Sequence, residues 1–388
     1  MILYIIVTLI TVLAACKVKG RREYRDGCGG CFMVTGQQMT NRVCNVFIFT
    51  VLFFLSALRF NVGNDYWKYV EFMHLVRCDS YVPTEWGFNL LVKIIYGLSG
   101  FENYQLVFAV YAFLTVLFFM AAIYEQSRSF AVSFFMFMTL GLYFQSFSTV
   151  RYYLALAMAV YSLRYVQDRQ WVRFFLMIVL ASGFHKSVLA VIPLYIIAAA
   201  PWKKWTWALF LAFSASLAVF RDFYLNVAAE LYPTYKETSY ISEGGSVSYV
   251  NIARCLAVIL FALYVWKKTG DKTDRAVLYF RLNVIALALY MCCWYIPFIS
   301  RIGYYLSAVQ ILMVPELIGI YAASDKAAAA GGKAGAIRTA RRFAAAAAVI
   351  CVLYFALYLK KAYSSGVGVL PYRTFLFQDN ITIVEDVS

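Results

Sequence analysis

The chain has 388 residues, 63% of them hydrophobic and 14% charged, where soluble domains average roughly 25% charged. With a mean hydropathy of +0.69 its solvent is lipid as much as water. Backbone exposed to lipid must satisfy its own hydrogen bonds, so the expected fold is all-α, and the alternating pattern of a membrane β-barrel is absent. The net charge of +15 sits in short loops between apolar runs, which points to cytoplasmic loops and anionic headgroups and argues against nucleic acid.

In chain order, "LAAC" at 13–16 resembles a lipoprotein cleavage box. No basic residue precedes the apolar run, however, and "KVKGRREYR" follows it, so 1–16 reads as a first membrane helix. Further membrane segments are expected near 43–58, 104–123, 130–148, 151–166, 172–185, 187–200, 205–220, 250–266, 277–297, 303–322 and 343–359, about twelve in all. "EWGFNLLVKIIYGLSG" (85–100) is short, apolar on one face and carries Lys93. It reads as an interfacial or re-entrant helix on the outer face.

With 85–100 not spanning, most of the 35 Lys and Arg fall on one side. The reading is one polytopic membrane domain, 1–388, with both termini outside. Its outer loops lie near 59–103 and 221–249. Its basic cytoplasmic loops lie near 17–42, 267–275 and 323–342. Of the nine cysteines, Cys28 and Cys31 form "CGGC". A zinc site needs two more ligands, and the two histidines, His74 and His185, are far along the chain, so no metal site is expected.

Ionisable residues gather at the outer helix ends: Arg59, Asp65, Glu85, Arg151, His185, Lys186, Arg301 and Arg373. Charge at membrane depth is costly, so this convergence suggests a polar cavity opening outward. In "SFSTVRYYLALAMAVYSLRYV" (146–166) Arg151 starts a helix after Ser146, Ser148 and Thr149. Free N–H groups plus a guanidinium suit phosphate, against the plainer reading of an arginine reaching to headgroups. In "SGFHKSVLAVIPLY" (182–195) His185 lies between apolar runs and is either a proton carrier or a hydrogen-bonded histidine at a helix break. "PFISRIGYYLS" (297–307) adds Arg301, Tyr304 and Tyr305, and two arginines could clamp a pyrophosphate. Outer aromatics such as Tyr66, Trp67, Tyr232 and Tyr235 belong to an interfacial belt or stack on sugars. No P-loop, G-x-G-x-x-G, H-E-x-x-H, G-x-S-x-G or outer D-x-D is present.

"RFNVGNDYWKYVEF", "PTEWGFNLLVKII", "FQSFSTVRYYLALAMAVYSLRYV" and "GFHKSVLAVIPLYI" occur in this order, with "LPYRTFLF" near the end. From about 59 to 377 the chain resembles the EpsG family of bacterial membrane proteins, Wzy-like polysaccharide polymerases. "CGGC" has no counterpart in that resemblance.

The resemblance implies a substrate, an oligosaccharide repeat unit on undecaprenyl pyrophosphate, polymerised at the outer side of the bacterial inner membrane by inverting, metal-independent glycosyl transfer without cofactor. It implies the lipid bilayer, a chain-length regulator and other polysaccharide-assembly proteins as partners. Arg151 and Arg301 would hold the leaving pyrophosphate, with Asp65 and His185 as alternative bases. Arg59, Gly63, Tyr66, Glu85, Lys186, Tyr304, Tyr305 and Arg373 would bind substrate or shape the site. An O-antigen-type ligase, a lipid-linked oligosaccharide flippase and a polysaccharide O-acyltransferase are the alternatives.

Overall fold

A computed structural model describes residues 1–25, 36–231, 247–296, 299–330, 337–363 and 367–377. Cys28, Cys31, Tyr232, Tyr235 and Pro297 lie outside the described residues. The first helices are α1 (Ile2–Ala15), α2 (Arg21–Arg25), α3 (Gly36–Ala57), α4 (Tyr66–Arg77), α5 (Trp86–Ser99) and α6 (Tyr104–Gln126). Next come α7 (Phe130–Thr139), α8 (Leu142–Gln145), α9 (Val150–Gln167), α10 (Trp171–Ser182) and, after a 3₁₀ turn at Lys186–Ala190, α11 (Val191–Ala199). They are followed by α12 (Lys204–Val219), α13 (Arg221–Leu231), α14 (Tyr249–Thr269), α15 (Asp274–Cys292), α16 (Ile299–Ser307), α17 (Gln310–Ala330) and α18 (Ile337–Lys361).

Every apolar segment expected from the sequence contains helix, and 85–100 is the short helix α5. Among the described residues six helical stretches are long and apolar enough to cross a bilayer, or seven if the α12–α13 pair, bent by 88°, is one span. The remaining segments are shorter. A helix rises about 1.5 Å per residue, so the 14 residues of α1 span only about 21 Å of a ~30 Å hydrocarbon core. α9 has the length, but Arg151, Arg164 and several tyrosines lower its hydropathy. Of the twelve expected segments, six, or seven with the bent pair, are thus both long and apolar enough among the described residues, and the others are short or, like α9, more polar.

The chain groups into two compact units: Met1–Tyr161, Val179–Lys186 and Arg342–Ser388 in the first, Ser162–Ile178 and Ser187–Arg341 in the second. In the first, α3 packs along α6, and α1 packs on α3 and α7. Tyr4 of α1 is fully buried, stacks on Phe144 at 4.5 Å and donates its hydroxyl to Val369 O at 2.8 Å. α6 starts where Asn103 accepts from Leu106 N, which satisfies one of the free donors of a first turn.

In the second unit α15 packs against α14, α16 and α17. Buried amides join three of these helices. Gln310 Nε2 donates to Asn283 Oδ1 at 2.6 Å, and Asn283 Nδ2 donates to Cys255 O at 2.9 Å. Lipid tails give helices no hydrophobic reason to associate, so such bonds and close packing hold them. Asn283→Leu is expected to lower the thermal midpoint in detergent, by about 1–2 kcal/mol of stability. A midpoint equal to wild type would remove the amides from the account of this unit.

Candidate active site

The opening loop of the site, 58–65, is fixed by backbone contacts on two sides. Phe60 N donates to Arg373 O at 2.9 Å, Gly63 N to Gly368 O at 2.7 Å, and Arg59 bridges to Thr374. Ser148, just before α9, donates its hydroxyl to Val367 O at 2.8 Å. Gly63 has φ +101°, and a Cβ there would stand 2.4 Å from Phe147 O and 2.8 Å from Ser148 Cα. Only glycine combines that backbone with that approach. The loop, the start of α9 and the segment 367–375 therefore lock together within the first unit, which places Asp65 at the N-cap of α4.

Arg151 and Glu85 form the centre of the site. Nη1 of Arg151 donates to Glu85 Oε2, and both side chains are only 13% exposed. The guanidinium also lies over the rings of Tyr69 at 5.5 Å and Phe88 at 5.4 Å. The second Glu85 oxygen, Oε1, accepts from Lys186 N at 3.1 Å. One carboxylate thus ties α9 to the turn that carries His185 and Lys186. Gly87 N donates to Gly183 O at 2.7 Å, and a Cβ on Gly87 would stand 2.5 Å from that oxygen. This close crossing of α5 brings Glu85 to its partners. His185 is half-buried with its ring edge-on to Tyr152 at 5.4 Å, and it directly precedes Lys186, whose N–H Glu85 accepts.

Arg59 is placed differently. It is 1% exposed, and its Nη1 donates to Ser56 O at 2.5 Å and to Ser56 Oγ at 3.0 Å. Phe108 and Phe147 lie 5.0 Å and 5.3 Å from its guanidinium carbon. Burial pulls its pKa below the ordinary arginine value, although an arginine keeps its proton in proteins. Tyr66, expected on a substrate face, is 1% exposed and stacks on Phe108 at 4.7 Å. Both residues lie beneath the loop and shape it from below. Arg373 and Lys186 are exposed, while Asp65 is half-buried one turn before Tyr69.

Arg301, Tyr304 and Tyr305 belong to α16 of the second unit. Arg301 is exposed, Tyr304 half-buried and Tyr305 fully buried. The Tyr305 hydroxyl lies 3.2 Å from Ser187 Oγ. Arg254 of α14 lies over the Tyr304 ring at 5.6 Å and donates to Ser307 Oγ at 3.2 Å. Sequence reasoning missed Arg254, and its signal was a single arginine within the apolar run "VNIARCLAVIL". It also missed Glu316, fully buried on α17 and accepting from Thr273 Oγ1 at 3.1 Å.

A family model described as the EpsG family matches residues 42–374, nearly the whole chain. No match is found among curated proteins or among solved structures. The matched stretch contains the Arg59–Tyr66 loop, Glu85, Arg151, His185, Arg301 and Arg373.

Gly63→Ala must place a side chain in a left-handed backbone and against a carbonyl. The expected cost is about 2 kcal/mol or more, seen as a lower thermal midpoint of the purified protein. Retention of the wild-type midpoint would show that the loop tolerates a Cβ against Phe147.

Proposed function

The chain belongs to the EpsG family of Wzy-like polysaccharide polymerases, and from that premise we propose that it joins lipid-pyrophosphate-linked oligosaccharide repeat units. Transfer takes place at the outer side of the bacterial inner membrane. The observation that carries this reading is the half-enclosed Arg151–Glu85 pair beside His185.

A guanidinium held in a low-dielectric site by one carboxylate is ready to exchange that partner for a better anion. A pyrophosphate offers more charge and more acceptors than Glu85. When it settles on Arg151, Glu85 is freed to accept hydrogen bonds from sugar hydroxyls. The reaction moves one bond. The acceptor hydroxyl oxygen attacks C1 of the growing chain's reducing-end sugar from the face opposite the leaving group. The C1–O bond to the lipid pyrophosphate breaks, and inversion follows. The pyrophosphate leaves with the bonding electrons, and Arg151 stabilises the charge that develops on it.

The hydroxyl proton passes to His185, since imidazole is the side chain that most readily takes and gives a proton near neutral pH. Asp65, on the same face of α4 as Tyr69, aligns the acceptor sugar. Lys186 and Arg373, both exposed, meet the remaining anionic and hydroxyl groups of the substrate. The lipid pyrophosphate bond itself supplies the driving force.

Arg151→Ala and, separately, Arg301→Ala are expected to abolish long polymer and leave single lipid-linked units. Arg→Lys at either position is expected to fail largely, because an ammonium lacks the fork of donors. The assay is the purified protein with lipid-linked repeat units alone, where a ladder of products marks a polymerase. Transfer that appears only when a different acceptor is added would mark a ligase, and wild-type chain lengths in both alanine variants would remove the arginines from the reaction. His185→Gln is expected to slow turnover about 10²–10⁴-fold and to flatten its dependence on pH. An unchanged pH profile in that variant would give the base role to Asp65.

A further inference from the structure

Beneath the loop, Arg59 and Tyr111 line a small, partly enclosed cavity together with Ser56, Ala112, Thr115, Val116, Ser146 and Val150. The cavity offers about 10 Å³ to the centre of a water-sized sphere, which is room for one small particle. Three donors on its walls have no hydrogen-bond partner among the described residues: Nε and Nη2 of Arg59 and the hydroxyl of Tyr111. Both side chains are 1% exposed. No carboxylate lies within salt-bridge distance of Arg59 among the described residues. The ionisable groups that act on it are the neutral phenols Tyr66, Tyr143, Tyr4 and Tyr372. Glu85, which acts electrostatically on Tyr111, is engaged by Arg151 and Lys186 N.

Buried donors require acceptors, and a buried cation requires negative charge. Phe108 and Phe147 supply ring faces to the guanidinium, which offset part of the cost but accept no N–H bond. We propose that Arg59 and Tyr111 hold a small monovalent anion, a halide such as chloride, in this cavity. A halide accepts from all three donors at once and neutralises the guanidinium. A water molecule would leave the charge uncompensated. A halide is somewhat larger than water, so seating it requires the cavity walls to give slightly. The neighbouring Val150 is the first residue of α9, so the anion steadies the start of that helix from below. This site is separate from the sugar-transfer reading and stands without it.

The test uses the purified full-length protein in detergent, titrated with sodium chloride, sodium bromide or sodium gluconate at constant ionic strength. Gluconate is too large to enter. Chloride and bromide are expected to raise the thermal midpoint in a saturable way that gluconate does not reproduce. Tyr111→Phe removes one donor and keeps the shape, and is expected to raise the half-saturating chloride concentration about tenfold. Arg59→Met is expected to lose the response entirely, and if it does not fold the Tyr111→Phe titration decides the matter alone. Equal midpoints in chloride and gluconate for the wild type would overturn the proposal, as would a chloride response unchanged in Tyr111→Phe.

Discussion

A guanidinium withdrawn from water must be given something negative or polarisable, and the first unit is arranged around two such cases. Arg151 receives a carboxylate and two ring faces, and Arg59 receives a serine and two ring faces. At an effective dielectric of about 20, a charge pair at 4 Å is worth roughly 4 kcal/mol, while stripping an ion of water costs several. The Arg151–Glu85 pair is therefore close to balanced, which suits the exchange of anions proposed for Arg151. The glycines follow from this requirement. Gly87 and Gly183 let α5 approach closely enough for Glu85 to reach both Arg151 and Lys186 N.

The helices were legible in the sequence because hydropathy is a local property, and α5 was recognised as short from its length and Lys93. Gly63 was legible through the resemblance, which gives it a part in shaping the site. The number of full spans was not. Hydropathy marks an apolar run, and whether that run crosses the bilayer depends on how neighbouring helices bend and cover it. Partners distant in sequence were also hidden. Glu85 and Arg151 are separated by 66 residues, and no periodicity connects them. Arg59 reads in the sequence as a residue of the outer polar cavity that binds substrate, and in the fold its side chain turns inward against Phe108 and Phe147.

Within the second unit buried polar groups are likewise paired. Asn283, Gln310 and the Cys255 carbonyl pair off among themselves, and Glu316 takes a hydroxyl from Thr273. Polar groups in a lipid-facing bundle choose one another because water cannot compete for them. They fix which helices meet, where apolar contact alone would permit several arrangements. Single-sequence reading lists these residues as exceptions to hydropathy, whereas in the fold they are the joints.

The strap at 367–375 has a consequence for how the protein is made. The N–H groups of Gly63 and Phe60 find their acceptors in Gly368 and Arg373, and the Tyr4 hydroxyl finds its acceptor in Val369. During synthesis all the intervening helices emerge before those partners exist. These contacts of the early loop can form only after the segment 367–375 has been made, so chains that end before it lack the strap that holds Gly63 in place.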